Sequence, residues 1–154
     1  MIPYQIFKET QDHCGPASLK TVFDYYGVVK SEKEWDELAG FVEGEGVWMS
    51  DLLRVVEQVG FKGEYLKETS IDTLRSLIQN KETVIVNFWH IEAGHYSPVA
   101  DITDTNIIIA EVFKAELLTL DLIKFELNWF DFLYYPPRSK DDLLLREALV
   151  IRKP

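Results

Sequence analysis

A single cysteine, Cys14, stands in 154 residues, so an intramolecular disulfide is impossible and a cysteine-rich zinc site is excluded. Basic residues are scarce. Sixteen Lys and Arg against twenty-six Asp and Glu leave a formal charge of -10, which repels phosphate backbones and argues against nucleic acid as a partner. No apolar run is long enough to span a bilayer, and the start Met1-Ile2-Pro3-Tyr4 has neither the basic residues nor the apolar stretch of a secretory signal. A soluble, cytoplasmic protein with no membrane partner is expected. Proline, glycine and serine never cluster into a linker, and no repeat or low-complexity segment appears. The whole chain, 1–154, therefore reads as a single domain, with 47% hydrophobic residues to build its core.

What is present divides by period. Residues 17–26 carry Leu19, Val22, Phe23 and Tyr26 at helical spacing, with Pro16 in the first turn and Gly27 as the stop. Ser31-Glu32-Lys33-Glu34 is a capping box opening a second helix that Gly40 closes. A third helix carries Leu52, Leu53, Val55, Val56 and Val59, with Ser50 or Asp51 expected as its cap. A fourth follows Ser70, with Ile71, Leu74, Leu77 and Ile78 as its apolar stripe. Beyond residue 82 the period shortens. Segments 83–89, 96–102 and 106–112 read as antiparallel strands, and Asp104-Thr105-Asn106 reads as a hairpin turn setting Ile102 near Ile107. A helix is expected over 119–130 and a closing strand over 147–152. Helices first and strands afterwards give an α+β domain, N-terminal helices packed on a C-terminal antiparallel sheet.

The chemistry concentrates at Asp12-His13-Cys14-Gly15-Pro16. A free cysteine is usually a buried packing group, but Cys14 stands where a loop becomes a helix, and the free N–H groups and positive dipole end of a helix favour a thiolate. A thiolate nucleophile needs a proton partner, and Gly94-His95-Tyr96 offers one at the start of a strand. His90, before the loop 91–94, is the weaker candidate. His13 is a neighbour that cannot turn its ring in line with the sulfur, so it is expected to form a wall of the substrate site. Glu111, ending the next strand, is the candidate to orient His95, with Asp101 and Asp104 as alternatives. The histidine and cysteine spacing matches no compact zinc motif, so no metal is expected, and nothing in the chain calls for a cofactor. Of the four tryptophans, Trp48, in a glycine-bearing loop, is the one expected to contact substrate, and Trp35, Trp89 and Trp129 are expected to pack.

Cys14-Gly15-Pro16-Ala17-Ser18-Leu19, Tyr25-Tyr26-Gly27, Val84-Ile85-Val86-Asn87 and Gly94-His95-Tyr96 together resemble the double-glycine (bacteriocin) leader peptidases and their stand-alone relatives, of the papain-like cysteine peptidase superfamily. The resemblance spans nearly the whole chain. It implies the papain-like fold and a thiol protease in which Cys14, His95 and Glu111 act in the family's catalytic order, on a peptide or small amide through a thioester. Two positions depart from the pattern. Ala110-Glu111-Val112 stands where such relatives commonly have Ala-Asp-Pro, and the glutamine that would donate to the oxyanion is replaced by Lys8, with Gln5 and Gln11 to either side. Gln11 is the residue left to fill that role. The segment 94–99 is also similar to phytochelatin synthases, which use this fold for transpeptidation. A papain-like groove without catalysis, kept for binding peptides, is the reading from another class.

Overall fold

The computed structural model describes Met1–Pro154. Five α-helices are present: α1 (Cys14–Tyr25), α2 (Glu32–Ala39), α3 (Met49–Gln58), α4 (Ile71–Gln79) and α5 (Leu122–Asn128). The strands are β1 (Lys62–Leu66), β2 (Thr83–His90), β3 (Ala93–Ile102), β4 (Asn106–Glu111), β5 (Glu116–Asp121), β6 (Phe130–Phe132), β7 (Leu143–Leu145) and β8 (Ala148–Arg152). Six of them form one sheet in the order β1-β8-β2-β3-β4-β5, and β6 pairs with β7 separately. Every pairing is antiparallel. This is an α+β fold with helices against a large sheet.

Alternation along the central strands builds two cores. On β2 and β8, Ile85, Leu149 and Ile151 point to one face and meet Leu19, Phe23, Trp35, Leu52 and Val56 of α1 to α3. Val84, Val86, Phe88 and Val150 point to the other face and meet Leu74 of α4 and Phe125 of α5. A strand covered on both sides is apolar throughout, which is why 84–88 lacks the polar alternation of a half-exposed strand. The helices thus cover both faces: α4 and α5 lie across the sheet from the first three helices.

Local rules explain the helix ends. Ser31 Oγ accepts from the Glu34 N–H while Glu34 accepts from the Ser31 N–H, as the capping box requires, and Gly40 takes the left-handed φ of 68°. Ser70 Oγ accepts from the Thr73 N–H at 3.1 Å. The cap of α3 is neither Ser50 nor Asp51. Trp48 holds that position, and Asp51 reaches back from the first turn to accept its N–H at 2.8 Å. The expected helix over 119–130 is also shorter. Residues 116–121 add β5 to the sheet, and Asp121 then caps α5 by accepting from the Ile123 and Lys124 N–H groups. Leu118 and Leu120 pack on the core from this strand, so the sheet edge outcompetes helix extension.

Candidate functional site

Three elements converge at one end of the sheet. Helix α1 begins at Cys14, and its docking on β3 is fixed one turn later, where the Ser18 hydroxyl donates to the Tyr96 carbonyl at 3.0 Å. Gly15 permits the close approach. A Cβ there would stand 2.4 Å from Val47 Cγ2 and 3.4 Å from the Tyr96 ring. Strand β3 leaves the tight turn at Ile91 and Glu92, both at positive φ, and presents His95, opposite Phe88 of β2, as its third residue.

Register brings in Glu111. Ile102 pairs with Ile107 and Asp101 with Ile108, a register that carried onward would set Glu111 opposite Pro98, on the face away from His95. An irregularity between Val99 and Asp101 shifts the partner by one, so Val99 faces Ile109 and Glu111 comes opposite Ser97. Ser97 and His95 share a face, and the carboxylate reaches the ring: His95 Nε2 and Glu111 Oε1 are 2.7 Å apart.

Glu111 is buried and also accepts the N–H groups of Phe113 at 2.7 Å and Lys114 at 3.0 Å. Burial acts to raise its pKa, but the His95 hydrogen bond, first, and the two N–H donors outweigh it and hold the carboxyl below the ordinary value. Burial likewise acts to lower the His95 pKa. Hydrogen bonds to Cys14 and Glu111, with their negative charges, overcome it and push the imidazole up to about 10. Since Nε2 faces Glu111, Nδ1 is the nitrogen left for the thiol. Cys14 is partly exposed and lines two adjoining clefts of ≈ 250 and ≈ 230 Å³.

The other expected residues fall differently. Trp48 is 46% exposed and lines the first cleft with Asp12, Glu45, Asp131 and Tyr96. His13 is turned away from both clefts: Nδ1 lies 2.9 Å from Asp36 Oδ1, and the ring stacks on Phe41 at 3.7 Å. It ties α1 to α2 and forms no wall of the site. Gln11 is exposed in the turn before α1 and lines neither cleft, because the tight turn at Gln11 and Asp12 carries its side chain outward. Asp101 sits 3.7 Å from the Met1 amino group, and Asp104 is in the exposed hairpin turn; neither approaches His95. His90 lines the second cleft, its ring centroid 5.8 Å from that of His95. Trp35 and Trp129 are fully buried, and Trp89 stacks on Phe130.

One residue at the site was not anticipated. A carboxyl oxygen of Glu9, Cys14 Sγ and a ring nitrogen of His95 all lie within 4.8 Å of one another. Glu9 sits in the extended segment that crosses the sheet end, and no local pattern marks it; only the pairing of its N–H with the Val112 carbonyl at 2.7 Å carries it there. By distance, this group and a second one, His13, Glu32 and Asp36, could each hold a cation. In the first, His95 is already engaged by Glu111 and Cys14, so we assign no metal to it.

A model of the peptidase C39 family matches residues 4–140. The chain belongs to the peptidase C39 family. No curated protein matches it. Among solved structures, the peptidase domain of Streptococcus ComA, a bifunctional ABC transporter involved in quorum sensing, is similar at 17% identity and a TM-score of 0.73, with 100% of each chain covered. A double-glycine motif protease from an AMS/PCAT transporter, in complex with its leader peptide, gives 15% identity and a TM-score of 0.74 over 99% of this chain and 94% of that one. A C39-like peptidase of Bacillus anthracis gives 15% and 0.71 over 99% and 95%. At these identities the likeness is one of fold, and the fold is papain-like. No helix of this C39 family member is long and apolar enough to cross a membrane.

Proposed function

We propose that this family member is a cysteine peptidase acting through a thioester acyl-enzyme, with Cys14 as nucleophile, His95 as its proton partner and Glu111 as the group that orients and charges His95. The observation that carries the reading is the placement of Cys14 Sγ within 4.8 Å of a ring nitrogen of His95, whose other side lies 2.7 Å from the buried Glu111. With the imidazole held up to about 10, the resting proton resides on His95, beside the Cys14 sulfur. The thiolate attacks the scissile carbonyl carbon. His95 then protonates the departing amine, and as neutral imidazole it takes a proton from the water that hydrolyses the thioester. The Cys14 N–H, in the first turn of α1 and without an acceptor inside its own helix, serves as one oxyanion donor.

The substrate is a peptide or a small amide lying past Trp48 and Asp131 in the first cleft. Leader-peptide binding by the AMS/PCAT protease supports a peptide, without selecting a bacteriocin precursor. Glutathione offered as substrate separates hydrolysis from transpeptidation by the products released.

The test is the mass shift of the native protein after brief iodoacetamide treatment, beside His95→Ala. Labelling of the parent faster by roughly 100-fold or more is expected. Equal, slow labelling of both would sink the peptidase reading and leave a peptide-binding groove.

A further inference from the structure

Glu9 is an acid where an acid is chemically awkward. Its carboxyl lies within 4.8 Å of Cys14 Sγ and of a His95 ring nitrogen, and its Oε2 is shielded from solvent without any hydrogen-bond partner. Its backbone is pinned: the Glu9 N–H donates to Val112, and upstream the Phe7 N–H donates to Thr21 Oγ1 of α1 at 3.0 Å. The segment that carries the side chain is therefore fixed beside the nucleophile by α1 and by the residue that follows β4. A carbonyl under attack by Cys14 stands about 3 Å from the sulfur, which brings its oxygen within reach of the Glu9 carboxyl. An ionised carboxylate there would repel both the thiolate and the oxyanion. A protonated one would donate a hydrogen bond to the oxyanion, where such a bond is strongest.

We propose that protonated Glu9 is a catalytic residue, the side-chain oxyanion donor for the tetrahedral intermediate at Cys14, and that its ionisation switches acylation off. The inference rests on the peptidase reading above. As the carbon–sulfur bond forms, the carbonyl π electrons move to oxygen, and the Glu9 O–H and the Cys14 N–H hold that charge. As the carbonyl re-forms, the bond to the leaving group breaks, His95 supplies the proton that an amine needs, and Glu9 keeps its own.

The charged groups around Glu9 support this use. Cys14 of α1 and His95 of β3 lie against it, Asp12 and His90 line the same cleft, and the charges of Glu111 of β4 and of His13, turned away toward Asp36, act on it from further off. Burial, first, and the charges of Glu111 and Asp12 raise the Glu9 pKa, against the opposing pull of His95 and His13; the balance is upward. The donor is thus present on the acid side and is lost as pH rises through this elevated value. Gln11 is exposed and outside the clefts, which leaves Glu9 as the side chain placed for the task.

Two probes separate this inference from the one beneath it. Iodoacetamide alkylates the thiolate by displacement and forms no oxyanion, whereas p-nitrophenyl acetate acylates it through one, releasing p-nitrophenolate in a burst. The ratio of acylation to alkylation rates, measured from pH 4.5 to 8 in the full chain, isolates the oxyanion donor. In the parent protein the ratio is expected to fall about 10-fold or more with rising pH. Glu9→Gln, a donor that does not ionise, is expected to hold it flat near the acid plateau, and Glu9→Ala to hold it flat and roughly 10- to 100-fold lower. A parent ratio independent of pH, or equal ratios in all three proteins, overturns the role of Glu9 while fast alkylation leaves the Cys14–His95 pair standing. Slow alkylation throughout overturns both.

Discussion

Glu111 takes three donors in a buried site, so its removal acts chiefly on the charge of its neighbour. Glu111→Gln keeps one acceptor oxygen where the carboxylate offers separate oxygens to the Phe113 and Lys114 N–H groups, and it deprives His95 of a negative partner, so the imidazole pKa falls from about 10. The alkaline limb of the alkylation profile is expected to move to lower pH, with alkylation at neutral pH slowed roughly 10-fold or more. The same pair makes stability pH-dependent. The raised His95 pKa gives a contribution fully present below about 6.5, lost as pH climbs toward 10; the lowered Glu111 pKa gives one present above the ordinary carboxylate value and lost in acid. The melting temperatures of the parent and His95→Ala should therefore differ most near pH 5 to 6 and converge toward pH 10. Glu147 behaves in the opposite sense. It is buried beside Asp131, accepts from Asn87 Nδ2 at 3.2 Å and from the Tyr65 hydroxyl, and burial, the largest influence, raises its pKa. An ionised Glu147 costs stability as pH rises through that value, so Glu147→Gln is expected to raise the melting temperature at pH 7 more than at pH 4.5.

At the scale of elements, the docking of α1 depends on one missing side chain. Gly15→Ala would place a Cβ 2.4 Å from Val47 Cγ2, and the displacement of the 44–48 loop or of α1 is expected to cost about 1–3 kcal/mol in chemical denaturation. Adding Val47→Ala should recover most of that loss, since the clash is with its methyl group. Most elements were legible from sequence because their signals are local. Ser31 with Glu34, Ser70, Gly27, Gly40 and the apolar spacing of four helices required no knowledge of the rest of the chain, and the Ile102–Ile107 pairing follows from a turn. The elements that were missed or misjudged are those completed by distant partners. Strand β1 exists because it pairs with β8 across more than eighty residues, and the expected helix over 119–130 overlaps the end of β5, whose pairing with β4 and packing through Leu118 and Leu120 are not written in 116–121 itself. The same holds for β6 and β7, three residues each.

Across the whole molecule, a charge of -10 acts at long range whatever the fold, and the protein is expected to pass unretained through a DNA-cellulose column at low salt. Retention there would show a basic surface that the composition does not suggest. Sequence alone determined the α+β class, the cysteine at a helix start, the His95 strand and the candidacy of Glu111, since each depends on short-range pattern or on residue order. Tertiary structure decided what those residues meet. The shift of partner between Val99 and Asp101 turns Glu111 to the face of His95, the contacts with Asp36 and Phe41 take His13 out of the groove, and one backbone hydrogen bond to Val112 carries Glu9 to the sulfur. Side-chain burial and register are set by packing between segments far apart in the chain, and no window of sequence contains them.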